Sequence, residues 1–201
     1  MKRLLLISAV LIVGFTLWFF LFRKGDDTPS EQKQQPLTLQ VNSEQVNKSV
    51  NNLVSSYLDM KNAFIEADTT AIKAKTKDFI TSTDSLKLDD LKKDTLIFTT
   101  AQMKAEDIKS NATGILGEKD ITEMRKGFQM VSENLYPFLK TIGYKGQKLY
   151  FQNCPMAFGE GKDASWISNS EEIMNPYLGK KHPEFKSTML HCGETKDSVG
   201  K

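Results

Sequence analysis

Apolar side chains recur every three or four positions through the middle of the chain, which is the period of a helix with one buried face. The four stripes consist of Val46, Val50, Leu53, Tyr57, Met60 and Phe64; Ile72, Phe79 and Ile80; Ile97, Ala101, Ala105, Ile108, Ala112 and Ile115; and Ile121, Met124, Phe128, Val131, Leu135, Phe138 and Ile142. Four amphipathic helices with short polar links bury such stripes most simply in an up-and-down bundle. The pattern predicts an all-α fold with this four-helix bundle over residues 42–144.

Polar residues beside the stripes predict where the helices begin and end. Asn42 with Gln45 resembles a capping pair for the first helix, and Asp120 with Glu123 resembles one for the fourth. Pro137 is expected to kink the last turn of the fourth helix, because proline lacks the N–H that the helix needs there.

The pattern changes after residue 144. Short runs of aromatic and aliphatic residues at positions 149–151 and 166–167 are bounded by prolines and glycines, as in short strands between turns. We therefore expect residues 145–195 to form a loop-rich cap with short strands, packed on the bundle as one domain. Residues 196–201 are predicted to be a tail.

The N-terminal region has the character of a membrane anchor. Residues 4–22 carry no charge, and at about 1.5 Å per helical residue they reach roughly 28 Å, the thickness of a bilayer core. No small-residue cleavage pattern follows, and the preceding Lys2 and Arg3 favour a cytoplasmic N-terminus. The sequence predicts a transmembrane signal anchor over residues 1–24, a flexible linker over residues 25–41, and a single-pass inner-membrane protein with its body in the periplasm.

Charge and size exclude some partners and functions. The chain has 201 residues, with 27 Lys and Arg against 25 Asp and Glu. Because a nucleic-acid partner requires a basic face that displaces phosphate counterions, this near-neutral balance argues against nucleic-acid binding. The length suits one domain with extensions rather than a multidomain enzyme.

Both cysteines and both histidines of the chain lie in the predicted cap. Cys154 and Met156 form a C-x-M unit, and Met189 and Cys192 belong to an M-x-H-C unit. Thiolate and thioether sulfurs are soft donors that favour Cu(I), so these four residues, with His191 as an additional candidate, could bind copper. Zinc would accept both cysteines with His191 and His182, but paired C-x-x-C spacing is absent.

A structural disulfide is the alternative for the same two cysteines. In an oxidising compartment Cys154 and Cys192 would stabilise the cap by about 4 kcal/mol on the chain-entropy model. Met156 and Met189 would then be packing residues, since methionine fits irregular cores. Cys192 is a poor candidate nucleophile because no third orienting group accompanies it, so we do not expect an enzyme.

Four segments of the cap form a distinctive signature. They are Tyr150-Phe151-Gln152-x-Cys154-Pro155-Met156-Ala157, Trp166-Ile167-Ser168, Glu172-Ile173-x-Asn175-Pro176-Tyr177-x-Gly179 and Met189-Leu190-x-Cys192-Gly193. They resemble the C-terminal part of the bacterial domain-of-unknown-function family numbered 3347. A looser resemblance includes Tyr57-Leu58-x-x-Lys61-x-Ala63 and Arg125-Lys126-x-Phe128 with Ser132, so that it covers about residues 45 to 195.

The resemblance implies a periplasmic or lipid-anchored protein, because the same module is appended to adaptor subunits of copper and silver efflux pumps. It favours a metal site at Cys154, Met156, Met189 and Cys192, and His191 is not part of the family pattern. The usual lipid-accepting cysteine is replaced by the apolar anchor. Residues Lys180 to Thr188 look like an insertion that carries His182.

Two functions are therefore expected as alternatives. The first is a membrane-anchored periplasmic protein that binds copper or another soft heavy metal and acts in metal buffering or efflux, with an efflux-pump or other envelope protein as partner. The second is a periplasmic helical interaction module with a structural Cys154–Cys192 disulfide and no metal.

Overall fold

Four helices follow one another through the first two thirds of the described chain. The structure is a computed structural model that describes residues 42–201. The helices are α1 (Glu44–Glu66), α2 (Thr69–Asp84), α3 (Thr95–Gly117) and α4 (Ile121–Thr141), and a 3₁₀ turn (Asp89–Lys93) precedes α3. All four predicted helices are present in the predicted order.

Side-chain caps explain where the helices begin. The Asp120 carboxylate accepts hydrogen bonds from the first turn of α4, as the sequence predicts. The predicted cap of α1 is wrong, because Ser43 is the N-cap residue. The Asn42 side chain instead donates to the carbonyl oxygen of Ile142 (2.7 Å), which ties the start of α1 to the end of α4. Helix α4 continues through Pro137 to Thr141.

The apolar stripes meet in a shared core. Consecutive helices pack against each other, and the ring of Phe128 on α4 stacks on Tyr57 and contacts Phe64 of α1 at centroid distances of 5.3 and 4.6 Å. All three rings are fully buried. The helical bundle predicted from the periodicity is therefore present.

A three-stranded antiparallel sheet follows the helices. Its strands are β1 (Leu149–Cys154), β2 (Ala164–Ser168) and β3 (Glu194–Val199), in the order β2-β1-β3. The short strands predicted at residues 149–151 and 166–167 are present as parts of β1 and β2, whereas β3 was not predicted and contains most of the predicted tail over residues 196–201. Strand β3 has the polar, exposed sequence ETKDSV and is held by backbone pairing with β1, so it carries no apolar alternation that the sequence could reveal.

The sheet packs on the bundle through β2. All five residues of this strand are buried, and they lie against α4. The Tyr57 hydroxyl accepts a hydrogen bond from the Ile167 N–H (3.0 Å) and also contacts the Ser132 hydroxyl (2.7 Å). One phenol therefore links α1, α4 and the edge strand of the sheet, and helices and cap share one core.

The predicted anchor over residues 1–24 and the linker over residues 25–41 lie outside the described residues. Between residues 42 and 201, no helix combines the length and apolar character needed to cross a bilayer.

Candidate functional site: the cysteine pair and the Arg125 cleft

The two cysteines meet at the end of the sheet. Cys154 is the last residue of β1, Cys192 lies just before β3, and the two form a disulfide with a Cα–Cα distance of 5.7 Å. Cys154 is fully buried. The side chain of Asn175 donates to the carbonyl oxygen of Cys192 (2.9 Å), and so attaches this corner to the preceding loop. The disulfide therefore closes the region between β1 and β3.

Gly193 is needed beside the disulfide. Its φ of 142° is a conformation that favours glycine. A Cβ at this position would lie 2.8 Å from the Trp166 ring and 2.9 Å from the carbonyl oxygen of Asn153. The chain thus passes close over a buried tryptophan as it enters β3.

The other proposed metal ligands differ in burial and in hydrogen bonding. Met156 is 36% exposed, whereas Met189 is partly buried and packs against the core. The exposed His191 makes a hydrogen bond through Nδ1 with the carbonyl oxygen of Ile173 (2.8 Å). In the part of the chain that the structure describes, no three His, Cys, Asp or Glu side chains converge, so the zinc set is not assembled.

The oxidised cysteine pair does not fit a Cu(I) site. Thiolates are the copper ligands that the sequence suggested, and a disulfide supplies none. A metal site at these residues would therefore require reduction of the Cys154–Cys192 bond.

A second site lies between the first turn of α4 and two loops of the cap. It is a cleft of about 390 Å³. Its walls come from α4, from the turn that follows β1, and from the chain between Tyr177 and Phe185. The residues that line it include Thr122, Arg125, Lys126, Met156, Phe158, Lys162, Tyr177, His182, Glu184 and Phe185.

Arg125 is the most unusual residue of this cleft. It is only 3% exposed, and its Nε donates to the carbonyl oxygen of Pro176 (3.3 Å). Its Nη2 is buried and has no hydrogen-bond partner among residues 42–201. Burial lowers the pKa of Arg125 to about 10, so the group stays charged at neutral pH. An arginine is rarely buried without a carboxylate partner.

The backbone around Arg125 is tightly packed. Gly179 has a φ of 59°, and a Cβ there would lie 3.3 Å from the Arg125 Nη2 and 2.8 Å from the carbonyl oxygen of Ile65. The next residue, Lys180, donates its backbone N–H to that same carbonyl oxygen (2.8 Å). A glycine therefore lets the cap close over the guanidinium at the C-terminal end of α1.

The predicted insertion over Lys180–Thr188 forms a wall of the cleft. His182 accepts hydrogen bonds at Nδ1 from the backbone N–H groups of Glu184 and Phe185 (3.3 and 3.2 Å), and its ring stacks on Phe185. Burial and the nearby positive charge of Arg125 lower the pKa of His182. The histidine thus organises the loop as a neutral ring at neutral pH.

Arg125 was not among the candidate binding residues predicted from the sequence. One signal was available, because Arg125 is the only arginine among residues 42–201, where every other basic residue is lysine or histidine. Arginine differs from lysine in its planar set of donors, which suits a defined partner.

The similarity of this chain to a known protein family lies mainly in the helical bundle. The family model described as "Protein of unknown function (DUF3347)" matches residues 53–147. This match supports the assignment of the chain to that family. The matched DUF3347 segment includes Tyr57, Arg125 and Phe128 but ends before β1. The cap residues that carry most of the resemblance therefore lie outside the match. No curated protein and no solved structure matches the chain.

Proposed function

We propose that this DUF3347 protein is a membrane-anchored binding module of the bacterial periplasm, with a cap held by the Cys154–Cys192 disulfide and another envelope protein as its partner. The cysteine pair supports this most directly, because both sulfurs join the two ends of the cap. Disulfides of this kind persist in oxidising compartments such as the periplasm.

The same bond argues for binding rather than catalysis. A cysteine nucleophile acts as a thiolate, and oxidation of the pair removes both thiols. Cys154 is in addition fully buried, so a substrate could not reach its sulfur without opening the cap.

Copper binding is the second candidate, and it applies to the reduced protein. The two cysteines lie close enough to share one ion after reduction, and each has a methionine within three residues along the chain. Cu(I) would be held by Cys154 and Cys192 with Met156 and Met189 as soft additional donors. A role in buffering or efflux, with an efflux-pump partner, is part of this alternative.

A thiol count on the full chain separates the two candidates. Protein purified without reductant is unfolded and alkylated, and we expect no free thiol. Reduction, or the double change Cys154→Ser and Cys192→Ser, should lower the free energy of unfolding by about 4 kcal/mol, since the bond closes a loop of 38 residues.

A Cu(I) titration of the reduced chain against a competing chelator completes the test. We expect an affinity no higher than that of a variant carrying Met156→Leu and Met189→Leu. Two free thiols in the isolated protein, together with copper binding that weakens in the methionine variant, would instead establish the metal function.

Cell fractionation tests the proposed location. We expect the protein in the inner-membrane fraction with an intact N-terminus, and its body open to protease only after the outer membrane is permeabilised. A mature N-terminus beyond Phe22, found by mass spectrometry, would show that the segment is cleaved.

A further inference from the structure

The Arg125 cleft contains a buried positive charge that forms no ion pair with a carboxylate of residues 42–201. Between residues 42 and 201, Arg125 makes no ion pair, and its Nη2 donates no hydrogen bond. An unpaired buried charge destabilises the folded protein, and an anionic ligand would offset part of that cost. The cleft is the open space beside this group.

The other charges of the cleft favour an anion of low charge. Lys162 lines the cleft, is exposed and forms no ion pair within the described chain, whereas Lys126 also lines the cleft but is paired with Glu123. Glu184 is the acidic residue on the opposite loop. One buried cation with an acid nearby suits a single negative charge better than a dianion such as phosphate.

The remaining walls are apolar. Tyr177, Phe158 and Phe185 present aromatic rings, and Met156 adds a flexible thioether. Such a surface binds the apolar body of a ligand, while a few placed polar groups fix its orientation. The planar guanidinium is suited to a carboxylate, which it can bind with two parallel hydrogen bonds.

We propose that the cleft binds a carboxylate carried on an apolar body, with Arg125 as its anchor and the loop over residues 180–188 as its outer wall. Two sources share this chemistry, namely a free organic acid and the C-terminal residue of a partner chain. The inference deepens the proposed binding function and rests on it, because it names the ligand class that the module recognises.

A matched pair of small probes tests the charge requirement. N-acetyl-phenylalanine and N-acetyl-phenylalanine amide have the same apolar body and differ in the carboxylate. Binding to the oxidised full chain in detergent is measured by titration calorimetry, with phenylacetate and inorganic phosphate as further arms. We expect the acid to bind at least tenfold more tightly than the amide, and phosphate to bind more weakly than either carboxylate.

Three variants locate the binding to the cleft. Arg125→Met should weaken acid binding at least tenfold, Lys162→Gln should weaken it two- to fivefold, and the distant exposed change Lys145→Gln should leave it unchanged. Circular dichroism checks that each variant is folded. If Arg125→Met does not fold, two other results test the proposal. They are the comparison of acid with amide on the unaltered chain and the effect of Lys162→Gln on acid binding.

Equal binding of acid and amide, or unchanged acid binding in a folded Arg125→Met variant, would overturn the inference. Preferential binding of phosphate would also overturn it. Tighter binding of N-acetyl-phenylalanine than of phenylacetate supports a chain terminus as the source, and the reverse supports a free acid. Failure of the proposed function can be distinguished from failure of this inference. The former appears as free thiols in the isolated protein, whether or not the carboxylate probes bind.

Discussion

The hydroxyl of Tyr57 is a buried polar group that joins two helices of the bundle to the sheet, so its removal is an informative test of the fold. Strand β2 is an edge strand that pairs only with β1. The N–H of Ile167 on this strand therefore has no strand partner and donates to the Tyr57 oxygen at 3.0 Å. Tyr57→Phe keeps the ring and deletes this acceptor.

The loss of stability expected for Tyr57→Phe depends on which hydrogen-bonding group is left without a partner. Ser132 retains a hydrogen bond to the carbonyl oxygen of Phe128 (2.8 Å), so its hydroxyl remains satisfied. The Ile167 N–H, in contrast, becomes a buried donor without an acceptor, which costs about 1–3 kcal/mol. The stacking of Tyr57 on Phe128 is preserved because the phenyl ring is the same.

Urea unfolding followed by circular dichroism measures this cost. We expect Tyr57→Phe to lower the free energy of unfolding by about 1–3 kcal/mol with an unchanged slope. Tyr150→Phe is the matched control, since the Tyr150 hydroxyl bonds an exposed glutamate, and it should change the stability by less than about 0.5 kcal/mol. Equal effects of the two changes would refute the role assigned to the Tyr57 hydroxyl.

Two further predictions concern the core and a buried amine. Phe128→Ala should destabilise the protein by about 3–5 kcal/mol in the same assay, whereas the exposed Lys126→Ala should have little effect, and equal tolerance would contradict the buried face. Burial lowers the pKa of Lys61 to about 8, so the unfolded state binds its proton more tightly and stability should rise between pH 8 and 10.5. Lys61→Met should therefore gain about 3 kcal/mol at pH 7 and much less at pH 10, and an advantage independent of pH would contradict this.

The sequence alone predicted the helices because their signals are local. A stripe such as that from Ile121 to Ile142 repeats with the helical period, and Asp120 caps it within the same few residues. The buried faces of all four helices could be predicted for the same reason. Burial of one helix face requires apolar residues at every third or fourth position of the sequence.

Only the tertiary structure decided the third strand of the sheet, the pairing of the cysteines and the cleft. Strand β3 is polar and exposed and exists because its backbone groups pair with β1, an interaction that leaves no mark on side-chain pattern. The cysteine spacing was compatible with a metal site or a disulfide, and only the fold brings Cys154 and Cys192 to a Cα–Cα distance of 5.7 Å.

The Arg125 cleft could not be predicted from the sequence either. Its walls come from three separate segments between residues 122 and 185, and the burial of one guanidinium depends on how Pro176 and Gly179 pass over it. The sequence shows that residue 125 is an arginine but not that it is buried. Its burial without an ion pair in the described chain is a property of three-dimensional packing, because the environment of a charge is set by what surrounds it in space.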